Sequence, residues 1–323
     1  MRQFDFSLAA IMIGTAMLAT GVFVLPAWIL SMVVTIIAKA LVVISVVILM
    51  RAGLVSFGQG LYYCIGGYAV GLGGPWLNVT DMFALLGLAA LAGLVSGAVL
   101  GVLMCRYREI FFAMFSLALA MILYGVLSQS QALGSTDGFN VSRPTVLGMM
   151  LATGQVRTVI YLTACLLGGG VAALIHVFFK SEMGYASQAA SENEIRLQYL
   201  GASPNRVFYG NYVLASVAAS LGGALLALNY GHVGPDMAYW TQSGEFIFIA
   251  LVGGTGNVIA ALIGAGVFEA VRTYALEWAP DAWQLILGTV LVLIVSFMPN
   301  GLWTLVRSLR PGTRRRTAIE NTL

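Results

Sequence analysis

The stretch ILSMVVTIIAKALVVISVVILM, residues 29–50, contains 22 residues and one charged side chain, Lys39. A helix needs about 20 mostly apolar residues to cross a bilayer, so this segment predicts a transmembrane helix. Hydrophobic residues make up 59% of the 323-residue chain and charged residues 9%, whereas a soluble domain carries about 25% charged residues. The apolar runs are continuous rather than alternating, which excludes an outer-membrane β-barrel. The sequence therefore predicts an all-α, polytopic membrane protein.

Ten apolar segments predict about ten transmembrane segments in this chain. They cover residues 7–24, 29–50, 53–73, 82–104, 110–128, 158–179, 207–229, 244–253, 257–274 and 283–305. The first segment is predicted to be a retained helix rather than a signal peptide, because further spans follow it.

The basic residues indicate how these segments are oriented. If the N-terminus is inside, twelve of the 16 Lys and Arg residues fall on the inside, only Arg143, Arg157 and Arg272 fall outside, and Lys39 lies within a span. The twelve are Arg2, Arg51, Arg106, Arg108, Lys180, Arg196, Arg206, Arg307, Arg310 and Arg314 to Arg316. Because cytoplasmic loops are enriched in Lys and Arg, both termini are predicted to be cytoplasmic. We expect a transmembrane domain over residues 1–310 and a basic cytoplasmic tail over 311–323.

One segment is unusually short. The apolar run FIFIALV after Glu245 ends at Gly253 and Gly254, before it could cross a membrane. Half-helices broken by glycine are tolerated where the loose backbone is buried in protein or lines a wet cavity. Two interpretations remain open: discontinuous or re-entrant helices, and one glycine-kinked helix from Glu245 to Thr273.

Glycine spacing predicts close helix packing in two segments. Gly93, Gly97 and Gly101 recur every four residues, and Gly67 and Gly71 have the same spacing. Residues four apart share a helix face, and small faces allow helices to approach closely in lipid.

The stretch GLVSFGQG, residues 53–60, places Ser56 and Gln59 at predicted membrane depth. A buried amide without a partner costs several kcal/mol, and both interhelical bonding and cavity lining remain open for Gln59. We predict that Ser56, Phe57, Gln59 and Tyr62 form part of the wall or gate of a translocation path. Ser56 and Gln59, three residues apart, would share one helix face.

The connection over residues 180–206, on the basic side, carries a short predicted helix. Four residues starting at Ser191 fit the S-x-x-E capping box, Gly201 supplies a stop, and Pro204 prevents continuation. The helix begins at Ser191 or, alternatively, at Ser187. Because so short a helix is marginal in water, we predict a partner surface for it; packing on its own membrane domain alone is the alternative.

This helix is predicted to have two different faces. Ile195, Tyr199 and Leu200 can share an apolar face, while Glu192 and Arg196 have the spacing of an i,i+4 ion pair. On the other side of the membrane, the loop over residues 128–157 contains GSTDGFNVSRP, which is rich in turn formers. That loop is either a plain surface loop or one that covers a pore mouth or meets a partner.

The sequence offers no motif for enzyme chemistry. Lys39 and Lys180 follow Ala and Phe, so no Gly-Lys-[Ser/Thr] of a P-loop exists. His176 and His232 stand on separate segments without a zinc-protease motif. No nucleophile–base pair can be assigned, and we expect neither a metal nor a cofactor.

Three ionisable residues lie within or at the edge of predicted spans. They are Lys39, Glu245 and Glu269. Intramembrane charges are functional candidates by default. For Lys39 we favour a structural role, an ion pair or backbone contact inside the bundle.

Four stretches together resemble one family, the permeases of ABC importers for branched-chain amino acids and related amides, of the LivM type. They are GLVSFGQG with CIGGYAVG; LGSTDGF; GYASQAASENEIRLQYLG, matching at Gly184, Ala186, Ala189, Glu192, Asn193, Glu194, Leu200 and Gly201; and Ser243, Gly244, Gly253, Gly254 and Gly256. The resemblance covers roughly residues 41–305. It implies a multi-pass permease subunit of a bacterial inner-membrane importer.

The resemblance also implies partners and site residues. Two cytoplasmic ABC ATPases would bind a coupling helix that carries Glu192, Asn193, Glu194, Leu200 and Gly201. A periplasmic or extracellular solute-binding protein would meet the outside loop at Thr136, Asp137 and Gly138. A second, homologous permease of the LivH type would complete the membrane part, and the chain would bind no nucleic acid.

Departures from the family pattern leave the solute open. Gln59 stands where members carry His, Tyr185 where they carry Arg, and Ala190-Ser191 where they carry Ile-Arg. Hydrophobic amino acids are the first expectation, with urea, short amides and small carboxylates as alternatives. A secondary transporter that works without an ATPase and uses Lys39, Glu245 or Glu269 is the alternative function.

Overall fold

The computed structural model of the protein describes residues 6–23, 25–149, 152–298 and 301–303. Twelve α-helices run through them: α1 (Phe6–Thr20), α2 (Ala27–Arg51), α3 (Gln59–Leu77), α4 (Met82–Met104), α5 (Glu109–Gln129), α6 (Thr153–Phe179), α7 (Glu182–Glu192), α8 (Glu194–Tyr199), α9 (Pro204–Tyr230), α10 (Trp240–Gly253), α11 (Val258–Trp278) and α12 (Trp283–Phe297). Several residues used to predict the orientation lie outside the described residues, namely Arg2, Arg307, Arg310, Arg314 to Arg316 and the rest of the tail over 311–323.

Six of the described helices are long and apolar enough to cross a membrane. They are Ala27–Arg51, Met82–Met104, Glu109–Gln129, Gly154–Phe179, Pro204–Tyr230 and Val258–Trp278. Shorter apolar helices cover Ser7–Thr20 and Trp283–Ile294. The all-helical, polytopic class is therefore confirmed, and six of the ten predicted segments form helices of spanning length.

α2 lies at the centre of the helix bundle. Its side chains are buried almost without interruption from Val34 to Leu49, and its neighbours include α3, α6, α9, α10 and α11. A helix that is apolar on all sides is one that other helices surround. α2 can therefore receive contacts from side chains that stand far apart in the sequence.

The predicted glycine face of α4 is confirmed. Gly93 and Gly97 lie against Ser220 and Ser216 of α9, and Gly101 lies against tyrosine side chains of the same helix. A Cβ added at Gly97 would come within 1.8 Å of the Ser216 Oγ atom. The small residues thus let α4 and α9 approach closely.

The two spaced glycines of α3 have a different neighbour. A Cβ at Gly67 would meet the side chain of Met237, and one at Gly71 would meet the ring of Phe139. Both neighbours belong to connections rather than to a membrane-spanning helix. This face accommodates loop side chains, so the expected helix–helix packing is wrong for it.

The helix after Glu245 is discontinuous, as one of the two interpretations predicted. α10 ends at Gly253, Gly254 has a φ of +96°, and α11 begins at Val258. The two helices run antiparallel, because Gly253 lies against Ala260 and Ile249 against Gly264. The 14 residues of α10 span about 21 Å at 1.5 Å per residue, less than the roughly 30 Å hydrocarbon core.

A two-residue ribbon joins two connections at one end of the bundle. β1 (Phe139–Asn140) pairs antiparallel with β2 (His232–Val233), with Phe139 opposite Val233. The Tyr68 ring of α3 packs edge-on against Phe139, at 5.3 Å between centroids. The ribbon thereby fixes the loop that carries Thr136 to Gly138 to the bundle.

Candidate functional site

The stretch over residues 53–60 is mostly a connection rather than a helix. Gly53 has a φ of +79°, residues 54–58 are not helical, and α3 begins at Gln59. The expected helix face shared by Ser56 and Gln59 is therefore wrong. A left-handed glycine and a second glycine at position 58 favour a turn over a helical start.

Hydrogen bonds hold this connection between other helices. The Phe57 backbone N–H donates to Ser116 Oγ of α5 at 3.0 Å, and the Gly60 N–H donates to Ser243 Oγ of α10 at 3.0 Å. Tyr62 donates its hydroxyl proton to the Tyr212 oxygen of α9 at 2.9 Å. The connection is thus bonded to α5 through Phe57, and the start of α3 is bonded to α10 and α9 through Gly60 and Tyr62.

Gln59 is buried, and its amide is only partly satisfied. Its side-chain oxygen accepts a hydrogen bond from Ser45 Oγ of α2 at 2.9 Å. Its Nε2 group has no hydrogen-bond partner among the described residues. An unsatisfied buried donor costs about 1–3 kcal/mol. The expected interhelical bond is present, and both N–H donors of the amide remain for a ligand or a second conformation.

We predict that Gln59→Met separates stability from transport. Loss of an unsatisfied donor should leave the unfolding temperature unchanged or raise it. If Gln59 serves the path, solute uptake falls about tenfold, the equivalent of one hydrogen bond. The measurements are thermal unfolding and uptake by reconstituted protein. Ser45→Ala is the matched control, because it removes the donor to Gln59 and keeps the amide; full uptake by Gln59→Met would contradict the path assignment.

The predicted coupling helix is two helices with a break at Asn193. Asn193 caps α8, and its side-chain oxygen accepts the Arg196 N–H at 2.9 Å. Ser191 instead lies inside α7 and donates to the Gln188 carbonyl at 2.8 Å. The capping box at Ser191 is therefore wrong, as is the start at Ser191 or Ser187, since α7 begins at Glu182.

This segment ends where the sequence predicted, but its ion pairing differs from the prediction. Gly201 has a φ of +86°, and α9 starts at Pro204, as the stop signals predict. Glu192 and Arg196 lie on separate helices, so they are not an i,i+4 pair. Glu194 instead accepts a bond from Arg108 Nε at 2.8 Å.

One face of the α7–α8 segment is fixed to the membrane helices. Ser187 is buried, and its hydroxyl accepts from Asn211 Nδ2 of α9 at 2.7 Å. Arg108, which pairs with Glu194, lies 4.2 Å over the Phe208 ring of α9. These contacts hold the short helices in place, so the segment does pack on its own domain.

The opposite face of the segment is apolar and exposed. Tyr199 is 87% exposed, Leu200 77% and Ile195 63%. Tyr185 of α7 is also exposed. Exposed aromatic and aliphatic side chains on a rigidly held element are typical of a surface that meets another protein.

The end of α7 touches the connection over residues 53–58. A Cβ added at Gly53 would lie 3.1 Å from the Ser191 Cβ and 3.2 Å from its Cα. Because Gly53 has no side chain, the backbone of the connection lies directly against Ser191. The candidate coupling segment is therefore in direct contact with the connection that carries Ser56 and Phe57 of the candidate path.

The loop predicted to lie outside exposes Thr136 and Asp137 on its surface. Asp137 accepts a long bond of 3.5 Å from the Thr136 hydroxyl. Gly134 and Gly138, with φ values of +91° and +66°, give the turn its shape. A Cβ at Gly138 would lie 2.2 Å from the Val233 carbonyl oxygen, so this glycine fits the loop against the ribbon.

Four ionisable side chains meet within the bundle. Lys39 Nζ lies 2.7 Å from Glu245 Oε1 and 2.7 Å from Glu269 Oε2. Arg272 lies 3.7 Å from Glu245 Oε1, which is attraction without a hydrogen bond. The ion pair expected for Lys39 is confirmed, and we call these residues, with Arg272, the ion cluster.

Sequence reasoning missed several of these participants. Hydrogen bonds join residues 57–62 to three side chains that were not predicted, Ser116, Ser243 and Tyr212. A fourth, Arg108, is bonded to Glu194 of the coupling segment. Their signal was a polar side chain within or beside an apolar run. Arg272 was used only as an outside charge, although its spacing three residues after Glu269 places both on one face of α11.

Comparison with known proteins provides a family for this arrangement. The family model described as "Branched-chain amino acid transport system / permease component" matches residues 28–295. No solved structure shows a significant match to the chain.

Individual relatives are similar over long stretches. The LivM permease protein of the high-affinity branched-chain amino acid transport system of Salmonella typhimurium is 25% identical over 278 residues, 79% of this chain and 65% of the relative. Its Escherichia coli counterpart is 24% identical over the same shares. The BraD permease protein of Pseudomonas aeruginosa is 23% identical over 124 residues, 38% of this chain and 40% of the relative. The chain thus spans about 65% of the length of the first two relatives.

Proposed function

The chain belongs to the family of permease components of branched-chain amino acid transport systems, and we propose that it is the membrane-spanning permease subunit of an ATP-driven importer. Its solute would be a branched-chain or other hydrophobic amino acid, with related small amides or carboxylates as the wider class. The relatives named LivM and BraD support this solute class. The chain itself would not hydrolyse ATP.

The observation that carries this proposal is the α7–α8 segment. It is fixed on one face by Asn211 and Arg108, while Tyr199 and Leu200 are exposed on the other. Such a segment can transmit the movement of a partner to the membrane helices that it is bonded to. We assign the partner as a cytoplasmic ABC ATPase, with one copy for each of two homologous permease subunits.

The remaining parts of the proposal follow from this assignment. With α7 and α8 in the cytoplasm, the loop at Thr136 to Gly138 faces the periplasm or cell exterior and receives a solute-binding protein. The short helix α10 and the other apolar helices outside the six long spans, α1, α3 and α12, would complete about ten membrane segments. Both termini would then be cytoplasmic in the bacterial inner membrane.

Reconstitution tests this function directly. The permease pair, its ATPases and its binding protein are placed in proteoliposomes, and leucine uptake is measured with and without each component. We expect uptake to require ATP and binding protein and to persist when an ionophore dissipates ion gradients. Uptake that persists without both, and stops with the ionophore, would overturn the importer assignment.

The ion cluster favours a second candidate, a secondary transporter. Intramembrane ionisable residues are found in ion and proton pathways. In this chain, however, Lys39 is already paired with both Glu245 and Glu269 at 2.7 Å. A proton or cation would have to break these bonds, so the importer remains the better assignment.

We predict that Asp137 contributes to docking of the binding protein through its charge. Its side chain is exposed, and Gly134 and Gly138 shape the turn, so Asp137→Asn should leave the fold unchanged. The binding-protein concentration for half-maximal ATPase stimulation should rise about fivefold, a loss typical of one partly exposed charge pair. Asp281→Asn, at another exposed acid, is the control. An unchanged concentration for Asp137→Asn would remove this residue from the docking surface.

A further inference from the structure

The ion cluster lies deep in the bundle and carries balanced charges. Lys39 is the midpoint of the 25 residues of α2, and its partners come from α10 and α11. Two cations and two carboxylates make the cluster neutral. Neutrality lets it exist within the membrane, because an unpaired buried charge is very costly.

The cluster has a closed part and an accessible rim. The side chains of Lys39 and Glu269 are 5% and 11% exposed and that of Arg272 is 30% exposed, while Glu245, at 13%, joins the closed part to the rim. Lys39 holds both carboxylates with short hydrogen bonds, and Phe268 covers its ammonium group at 5.5 Å. The closed part therefore fixes the positions of Glu245 and Glu269.

The rim has binding capacity that its own contacts do not use. Arg272 lies 3.7 Å from Glu245, too far for a hydrogen bond, and 5.5 Å from the Trp283 ring centroid. Its guanidinium offers five N–H donors in a fork that matches a carboxylate. The ion pairs of Glu245 with Lys39 and Arg272 use Oε1, which leaves Oε2 to accept from a cation.

We propose that the Glu245–Arg272 rim binds the α-ammonium and α-carboxylate groups of the transported amino acid. The solute carboxylate would take the Arg272 fork, and its ammonium would donate to Glu245 Oε2. A zwitterion adds no net charge to the neutral cluster. An analogue with one of the two charges would leave a rim charge uncompensated, and would be rejected for that reason.

The position on a broken helix pair supports this assignment. Glu245 and Arg272 stand on α10 and α11, whose connection at Gly254 interrupts the pair. In secondary transporters, solute sites are often near the bilayer midplane at discontinuous helices. The inference rests on the proposed function as a permease and adds the solute's charge pattern and the residues that recognise it.

A binding experiment on the whole permease–ATPase assembly tests the proposal. Radiolabelled leucine is bound without the binding protein, so that only the membrane part selects the solute. Competitors are leucinamide, which lacks the carboxylate, and 4-methylpentanoate, which lacks the ammonium. For wild-type protein we expect each competitor to be weaker than leucine by about tenfold or more, the value of one charge-assisted contact.

The variants should remove this selectivity one charge at a time. Arg272→Gln should make leucinamide as good a ligand as leucine, and Arg272→Lys should retain part of the preference. Glu245→Gln should make 4-methylpentanoate as good a ligand as leucine. The bond between Lys39 and Glu269 should keep the cluster closed in this variant. Arg157→Gln, an exposed arginine at the start of α6, should leave all preferences unchanged.

Three results would overturn the proposal. They are equal competition by all three compounds for wild-type protein, an unchanged preference in Arg272→Gln, and no saturable leucine binding by an assembly that transports leucine. ATP-driven uptake by the same wild-type assembly is measured in parallel. If uptake is present, such a result removes the zwitterion site alone; if ATP-driven uptake is absent, the permease assignment itself is wrong.

Discussion

Lys39→Met is expected to prevent accumulation of the folded protein. Lys39 is the common partner of Glu245 and Glu269, at 2.7 Å from each, and methionine has a similar length without the charge. Removing one partner of a buried ion pair typically costs about 3–5 kcal/mol, and here two carboxylates lose their cation together. Most proteins have a total stability of only about 5–15 kcal/mol. The measurements are the yield of monodisperse protein in detergent and its thermal unfolding.

A rescue experiment separates loss of the ion pairs from loss of side-chain volume. Glu245→Gln and Glu269→Gln, added to Lys39→Met, remove the uncompensated charges and should restore most of the yield. Lys180→Met, at an exposed lysine outside the bundle, should have a much smaller effect. A Lys39→Met protein with wild-type yield and unfolding temperature would show that the ion cluster contributes little to the fold.

Replacing Tyr199 and Leu200 together with Asp is expected to abolish coupling and preserve the fold. Both side chains are more than three-quarters exposed, at 87% and 77%, so they contribute little to their own domain. Interface anchors of this kind cost about 2 kcal/mol or more when removed, and a buried carboxylate adds to that loss. ATP-driven uptake should therefore fall by about 30-fold or more.

The second prediction is measured through uptake, binding-protein-stimulated ATPase activity and copurification of the ATPase subunits. All three should decline together, while the unfolding temperature of the isolated permease stays within the error of the wild-type value. Gln198→Asp adds a charge on the same helix without removing an apolar anchor and serves as the control. If the double variant copurifies with the ATPase subunits and supports uptake as the wild type does, the face at Tyr199 and Leu200 contacts lipid or solvent rather than an ATPase.

Sequence patterns predicted the features that depend on local composition. The continuous apolar runs indicated the helices, and the four-residue glycine spacing indicated the packed face of α4. Gly201 and Pro204 marked the end of α8 and the start of α9, because their backbone preferences are intrinsic. The candidate coupling and docking segments were recognised by motif, and their functional roles remain predictions.

The sequence did not predict features that depend on competition between two local signals or on contacts between residues far apart in the chain. Ser191 and Asn193 are both good caps, and Asn193 prevails because its side chain reaches the Arg196 N–H. Gly53 and Gly58 lie within an apolar run, so hydropathy concealed the turn between them. The bond between Ser45 and Gln59 and the ion cluster join separate helices, and no spacing rule connects residues that far apart.

The separation of Lys39 from its partners has a consequence for biogenesis. Lys39 precedes Glu245 by 206 residues. At about 5–20 residues per second, the ribosome delivers Lys39 roughly 10–40 s before the first carboxylate that can neutralise it. A lysine at a helix centre opposes insertion by about 2.5–3.5 kcal/mol, so the surrounding apolar residues of α2 must carry it into the bilayer. Until α10 and α11 arrive, α2 of the nascent chain holds a cation without its ion-pair partners.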